Sequence, residues 1–147
     1  MEDEIDRQII RRLAADGRAV FADIARETGL STSALHQRVK RLEIRGVIKG
    51  YKALISREEI GQPLTAFVRL TPTDPIVTDS IPQLLEDIAE VESCWSVAGA
   101  ESYILKVNVA TPLDLELLLS KIRVTAQVAT RTTIVLSTPF EERPPAV

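Results

Sequence analysis

Residues 19–52 read AVFADIARETGLSTSALHQRVKRLEIRGVIKGYK, and the fold of the chain is decided there. The spacing predicts a helix over residues 21–28 with Ile24 and Ala25 on one face, and Gly29 supplies the residue able to turn the chain after it. Ser31 is placed to cap a second helix over residues 31–45. In that helix Leu35, Val39 and Leu42 recur at i, i+4 and i+7 as one buried stripe. At about 100° per residue, Ser33, Gln37, Lys40 and Arg41 fall on the opposite side, with His36 beside them. Gly46 stops the helix. Val47-Ile48 and then residues 51–55, parted by Lys49-Gly50, predict a small β-hairpin. Two short helices, small Ala25 where they cross, a glycine at the turn and a polar, basic outer face describe a winged helix-turn-helix. Its second helix enters the major groove.

Charge sharpens this reading. Between Leu30 and Arg57 there are seven cations (Arg38, Lys40, Arg41, Arg45, Lys49, Lys52, Arg57) and one anion, Glu43, in a chain of net charge -3. A solvated helix face mixes signs. A one-signed stripe on an acidic protein is the footprint of an edge that meets phosphates, so double-stranded DNA is the expected partner. Gln37 and Ser33 are the candidates for base edges, with His36 beside them, because glutamine can pair bidentately with adenine. Lys40 and Arg41 suit guanine or phosphate, and Ser31 and Thr32 at the helix start suit a phosphate. Lys49 and Lys52 are candidates for backbone phosphates flanking the groove, the alternative being ordinary exposed lysines.

Composition narrows the function classes. A length of 147 residues allows one domain or two small ones, and 45% apolar residues suffice for real cores. The single cysteine, Cys94, excludes an internal disulfide framework, and its neighbours Val91, Trp95 and Val97 predict a core thiol. No run approaches a membrane span and no apolar segment follows Met1, so the expected location is the cytoplasm, at the nucleoid. Aromatics are only 4%, too few for a stacking platform on single strands. The one histidine, His36, has no paired acid nearby in sequence. There is no Cys/His metal spacing and no glycine-rich phosphate loop. An enzyme is not expected, nor a cofactor.

Outward from the central stretch, residues 2–16 predict a first helix with Ile5, Ile9 and Leu13 inward, Ile10 widening the stripe, and Glu2, Asp3 and Glu4 suiting the helix dipole. Residues 1–55 thus form the DNA-binding domain. Residues 56–63 (SREEIGQP) have the turn-rich composition of a hinge. Residues 1–62 carry 12 basic and 10 acidic residues, whereas residues 63–147 carry 6 and 11, so the two halves meet different partners. The second half alternates: strand 64–71; helix 80–91 with Leu84, Leu85, Ile88 and Val91 inward; strands 93–98 and 102–110; a helix opened by Thr111-Pro112; strand 131–138. The order β-α-β-β-α-β over residues 64–138 is the ferredoxin-like arrangement, an antiparallel sheet with both helices on one face. The class is α+β. Nothing in the chain is left to cover the other sheet face, so a second copy is expected there, dimerising through packed sheets. Residues 139–147, with three prolines, are read as a loosely ordered tail.

Four segments in order, IDRQIIRRLAADGR, LSTSALHQRVKRLEIRGVIKGYKALI, VAGAESYILKV and TRTTIVL, make the chain resemble the Lrp/AsnC, or feast/famine, transcriptional regulators. The resemblance covers almost the whole chain. It implies a sequence-specific DNA-binding regulator of amino-acid metabolism, assembled from dimers into octamers or other higher rings. It also implies a small effector, usually an amino acid, bound between dimers. The family's loop pattern Gly-x-x-Asp-Tyr is carried by Gly99, Ala100, Glu101, Ser102 and Tyr103, with serine where the acid is expected. A carboxylate there holds an ammonium by a charge-assisted bond, and a hydroxyl offers a neutral one. Either Glu101 takes over the role, or the ligand differs, or the response is lost. Alternatives are a DNA-binding regulator without ligand response and an amino-acid-sensing assembly module whose helix-turn-helix serves protein contacts.

Overall fold

The computed structural model describes residues 3–147, apart from the side chains of residues 77 and 78. The chain divides into two compact units, Met1–Leu54 with Pro139–Val147, and Ile55–Thr138.

The first unit holds three helices, α1 (Glu4–Ala15), α2 (Phe21–Thr28) and α3 (Thr32–Ile44). Glu2, expected to suit the helix dipole, lies outside the described residues. Asp3 caps α1, its carboxylate accepting from the Asp6 N–H at 2.8 Å. Gly29 sits in the left-handed region at φ 69° and closes α2, its N–H reaching back to Ala25 and Arg26. Ser31 caps α3 by accepting from the Ala34 N–H at 3.1 Å. These three ends pin the angle at which the helices meet over one core of Ile9, Leu13, Ile24, Ala25, Leu35, Val39 and Leu42. One buried charge interrupts it. Asp6 is 3% exposed and lies against α3, where its carboxylate accepts from Arg38 at 2.8 Å and from Arg41 at 3.3 Å.

The hairpin expected over residues 47–55 is not formed: residues 45–63 contain no strand. The reason lies in the hydrogen bonds. The N–H groups of Val47 and Ile48 both donate to the Leu42 carbonyl, at 2.9 and 3.2 Å, so they cap the end of α3 and are not available to a ladder. Tyr51 ties the following segment to the same helix, its hydroxyl donating to Glu43 at 3.0 Å. Burial and that carboxylate push the Tyr51 phenol up to about 12.

The second unit is a four-stranded antiparallel sheet in the order β2-β3-β1-β4, with β1 Leu64–Pro72, β2 Val91–Ser96, β3 Tyr103–Val109 and β4 Val128–Ile134. Its inward residues, among them Val68, Leu70, Leu105 and Val107, pack on α4 (Ile81–Leu85) and α5 (Pro112–Ala126) in a single core. Thr111 caps α5 by accepting from the Asp114 N–H at 3.1 Å. The helix expected over residues 80–91 is much shorter. A 3-10 turn over Pro75–Ser80 precedes it and α4 ends at Leu85, so Leu84 lies on the outside while Leu85 and Ile88 are buried. Cys94 is accordingly not a core thiol. It is exposed, because the short α4 leaves that part of edge strand β2 uncovered. The strands also begin and end up to four residues from their expected bounds. The turn-rich composition of residues 56–63 appears as a run of turns. Ile60, Gly61 and Gln62 donate back to Ser56, Glu58 and Arg57, with Gly61 at φ 77°.

Candidate nucleic-acid interface and effector loop

The outer face of α3 carries Thr32, Ser33, His36, Gln37, Lys40 and Arg41, all exposed, with Ser31 at its start. The packing of Leu35, Val39 and Leu42 inward turns these residues outward together. His36 is not free to swing: its ring lies against Phe21 of α2, centroids 4.7 Å apart. Gln37 and Ser33 stand clear on the open face.

The seven cations counted in sequence are not equally available. Arg38 is held by Asp3 at 2.7 Å and by Asp6, and the two carboxylates raise its pKa further. Its hydrogen bond also holds the Asp3 carboxyl below the usual range. Arg41, expected at guanine or phosphate, shares the buried Asp6, although half of its side chain remains exposed. Lys52 lies 3.8 Å from Glu142 of the C-terminal segment, and Arg57 is bound by Gln62 and Glu92. Lys40 and Lys49 are exposed and make no ion pair among the described residues. The basic count therefore overstated the free positive charge. It missed Asp6, which sits 32 residues before Arg38 and reads in sequence as an ordinary surface acid.

The loop between β2 and β3 spans residues 97–102, with Gly99 and Ala100 exposed at its tip. Its base is fixed by the backbone: Ser102 donates to the Leu70 carbonyl at 2.9 Å and accepts from the Val97 N–H at 3.0 Å. Tyr103 points the other way, into the sheet-helix core at 7% exposure. The Glu101 carboxylate is largely covered and faces Arg131 of β4 at 3.8 Å. The acid that stands next to Ser102 thus has a cationic neighbour within its own chain. Residues 99–103 border neither the cleft of about 460 Å³ beside α5 nor the one of about 300 Å³ beside α4.

On the sheet face away from the helices, Phe67, Trp95 and Ile104 are partly or largely exposed beside Arg69 and Arg131. Among the described residues, no group of three His, Cys, Asp or Glu side chains is placed to hold a metal ion. No described helix is long and apolar enough to cross a membrane.

Two family models match the chain. Residues 3–43 match the AsnC-type helix-turn-helix domain and residues 65–145 the Lrp/AsnC ligand binding domain. The chain is 55% identical over 141 residues to the HTH-type transcriptional regulator LrpA of Mycobacterium tuberculosis, covering 96% of this chain and 94% of that one. It is 34% identical over 109 residues to the leucine-responsive regulatory protein of Escherichia coli, covering 73% and 66%. A solved feast or famine regulatory protein of M. tuberculosis, complexed with L-methionine, superposes with a TM-score of 0.93 at 54% identity, over 97% of this chain and 99% of that one. These relatives are regulators rather than enzymes. With its three-helix reading unit joined to a ligand-binding sheet unit, the chain belongs to the Lrp/AsnC family of transcriptional regulators.

Proposed function

We propose that the protein reads duplex DNA as a dimer and adjusts that reading to an amino acid bound where copies meet around residues 99–103. The observation that carries the DNA half is the open face of α3: Ser33 and Gln37 stand beside Lys40, a cation with no ion pair among the described residues. Gln37 and Ser33 address base edges, with His36 held close by Phe21. Ser31 and Thr32 at the helix start, with Lys40 and Lys49, address phosphates. Arg41 and Lys52 reach phosphate by exchanging Asp6 and Glu142 for it, and contribute less for that reason. Two copies joined through the face bearing Phe67, Trp95 and Ile104 present two such helices to successive major grooves, which calls for a roughly palindromic operator. The dimers assemble further into a closed ring, in the cytoplasm at the nucleoid.

For the effector half, support comes from the relative solved with L-methionine. Residues 99–103 border neither the cleft beside α5 nor the one beside α4, which fits a site completed by a second copy. Gly99 and Ala100 allow close approach, Ser102 offers a neutral hydrogen bond, and Glu101 meets an ammonium if Arg131 releases it. A ligand acts only through unequal affinity for two assembly or DNA-bound states. The pairing of Glu101 with Arg131 favours a second reading, a DNA-binding regulator that no amino acid controls.

A thermal-shift screen of the twenty amino acids, followed by sedimentation with each hit, decides between the two. A ligand at a hundred times its dissociation constant stabilises the native state by about 2.7 kcal/mol. We expect L-methionine or a similar apolar amino acid to raise the melting temperature and change the oligomer size. A flat screen would favour the uncontrolled regulator.

A further inference from the structure

Glu92 is the residue at which β2 departs from regular pairing. Val91 opposes Val107 and Ser93 opposes Lys106, so two steps along β2 match one along β3 and Glu92 is the extra residue of a bulge. A bulge re-aims a side chain that regular alternation would send elsewhere. Here it sends a carboxylate into a cluster of donors. Its Oε2 accepts from Asn108 Nδ2 at 2.7 Å and from Arg57 Nη2 at 3.1 Å, and Oε1 accepts from Lys106 Nζ at 3.3 Å. Asn108 is 2% exposed, and its Oδ1 accepts from Thr65 of β1 at 2.8 Å. Arg57 also donates to Gln62 at 2.8 Å, which closes the turn of residues 56–62 on itself. Burial works against ionising Glu92, yet Asn108, Lys106 and Arg57 together hold its carboxyl below the ordinary range. The linker turn is thereby fastened at both ends. Arg57 grips Glu92 where the linker begins, and Thr65 grips Asn108 just after it enters β1.

Both anchor points belong to the hairpin of β2 and β3, and the far end of that hairpin is the loop at residues 97–102. Five steps along the chain, about 16 Å, separate Glu92 from the start of that loop. We propose that Glu92 is a positioning residue that locks the linker to this hairpin, so that a displacement of the loop is carried along the two strands to the segment leading into the DNA-reading unit. The transmission step rests on the effector reading of residues 99–103. The lock itself does not. Energetic coupling between distant sites needs such a packed element, shared by both, whose state each of them biases.

The test uses the full-length chain as wild type, Glu92→Gln and Arg57→Ala. Glutamine keeps an acceptor for Asn108 and removes the charge that holds Arg57, and Arg57→Ala breaks the same contact from the less buried side. A glutamate-specific protease reports the linker by cutting after Glu58 and Glu59, and L-methionine binding is measured by calorimetry. Both variants should melt as folded proteins and bind L-methionine as wild type does, yet be cut in the linker about tenfold faster. Saturating L-methionine should change linker cutting in wild type and leave it unchanged in both variants. Cutting equal to wild type in both variants overturns the lock. Faster cutting with a wild-type response to L-methionine overturns the transmission. Failure of wild type to bind L-methionine counts against the effector reading alone, and the lock is then judged on ligand-free cutting.

Discussion

Leu42→Ala is expected to abolish DNA binding while leaving the sheet unit folded. Leu42 is fully buried among Ile9, Ile24, Leu35 and Val39, and truncating such a leucine costs about 2–5 kcal/mol through lost transfer energy and the cavity left behind. A helical unit of this size holds only about 3–8 kcal/mol in total. A single methyl-bearing branch is therefore a large share of its stability. The consequence extends past α3, because the Leu42 carbonyl also receives Val47 and Ile48, and a frayed helix end releases the segment that carries Lys49. Calorimetry of the variant should show one transition moved sharply down and the transition of the sheet unit in place. Two transitions falling together, or DNA affinity within a few-fold of wild type, would mean that the two units do not fold as separate cores.

The second large effect is electrostatic. Replacing both Lys40 and Lys49 with alanine should flatten the dependence of log affinity on log salt by about 0.9 for each lysine. Between 50 and 200 mM salt the double-variant dimer, lacking four lysines, then loses about 150-fold less affinity than wild type, from a weaker starting value on every sequence. Gln37→Ala should act differently. It should leave the salt slope alone and relax discrimination at one position of the half-site by about 1–3 kcal/mol. Arg38→Ala supplies the contrast: Arg38 is occupied by Asp3 and Asp6, so its removal should loosen α1 from α3 without changing the slope. An unchanged slope in the double lysine variant would remove both residues from the phosphate contacts.

Local signals in the sequence predicted local structure well. Ser31 and Thr111 cap the helices they precede, Gly29 takes the left-handed turn, and the stripe of Leu35, Val39 and Leu42 is buried as its spacing requires. The antiparallel sheet and the sequence of elements in the second unit followed from the alternation of its apolar residues. What was not legible depended on partners far along the chain or on where a backbone donor was already spent. The hairpin over residues 47–55 had the right turn residues, and it fails because Val47 and Ile48 give their N–H groups to Leu42. Arg38 and Arg41 looked like free cations because Asp6 approaches them only through the crossing of α1 and α3. Cys94 looked buried because the apolar residues around it do not reveal that α4 stops at Leu85. Glu92 carried no motif at all, since a bulge has no signature in a single sequence beyond the residue it displaces. In the candidate effector loop, the departure at Ser102 was visible in sequence, whereas the neighbour of Glu101, Arg131, lies across the sheet.

The measurement that tests the account most directly is a titration of duplex operator DNA at fixed salt, with and without saturating L-methionine, followed by the same titration for Gln37→Ala. Control of the reading helix by the ligand unit predicts a change in affinity of about 5- to 150-fold on adding the amino acid, the usual span of coupling between two sites. It also predicts that Gln37→Ala relaxes discrimination at one half-site position and keeps that response. Sequence-specific binding that is identical with and without every amino acid that binds the protein would contradict the account.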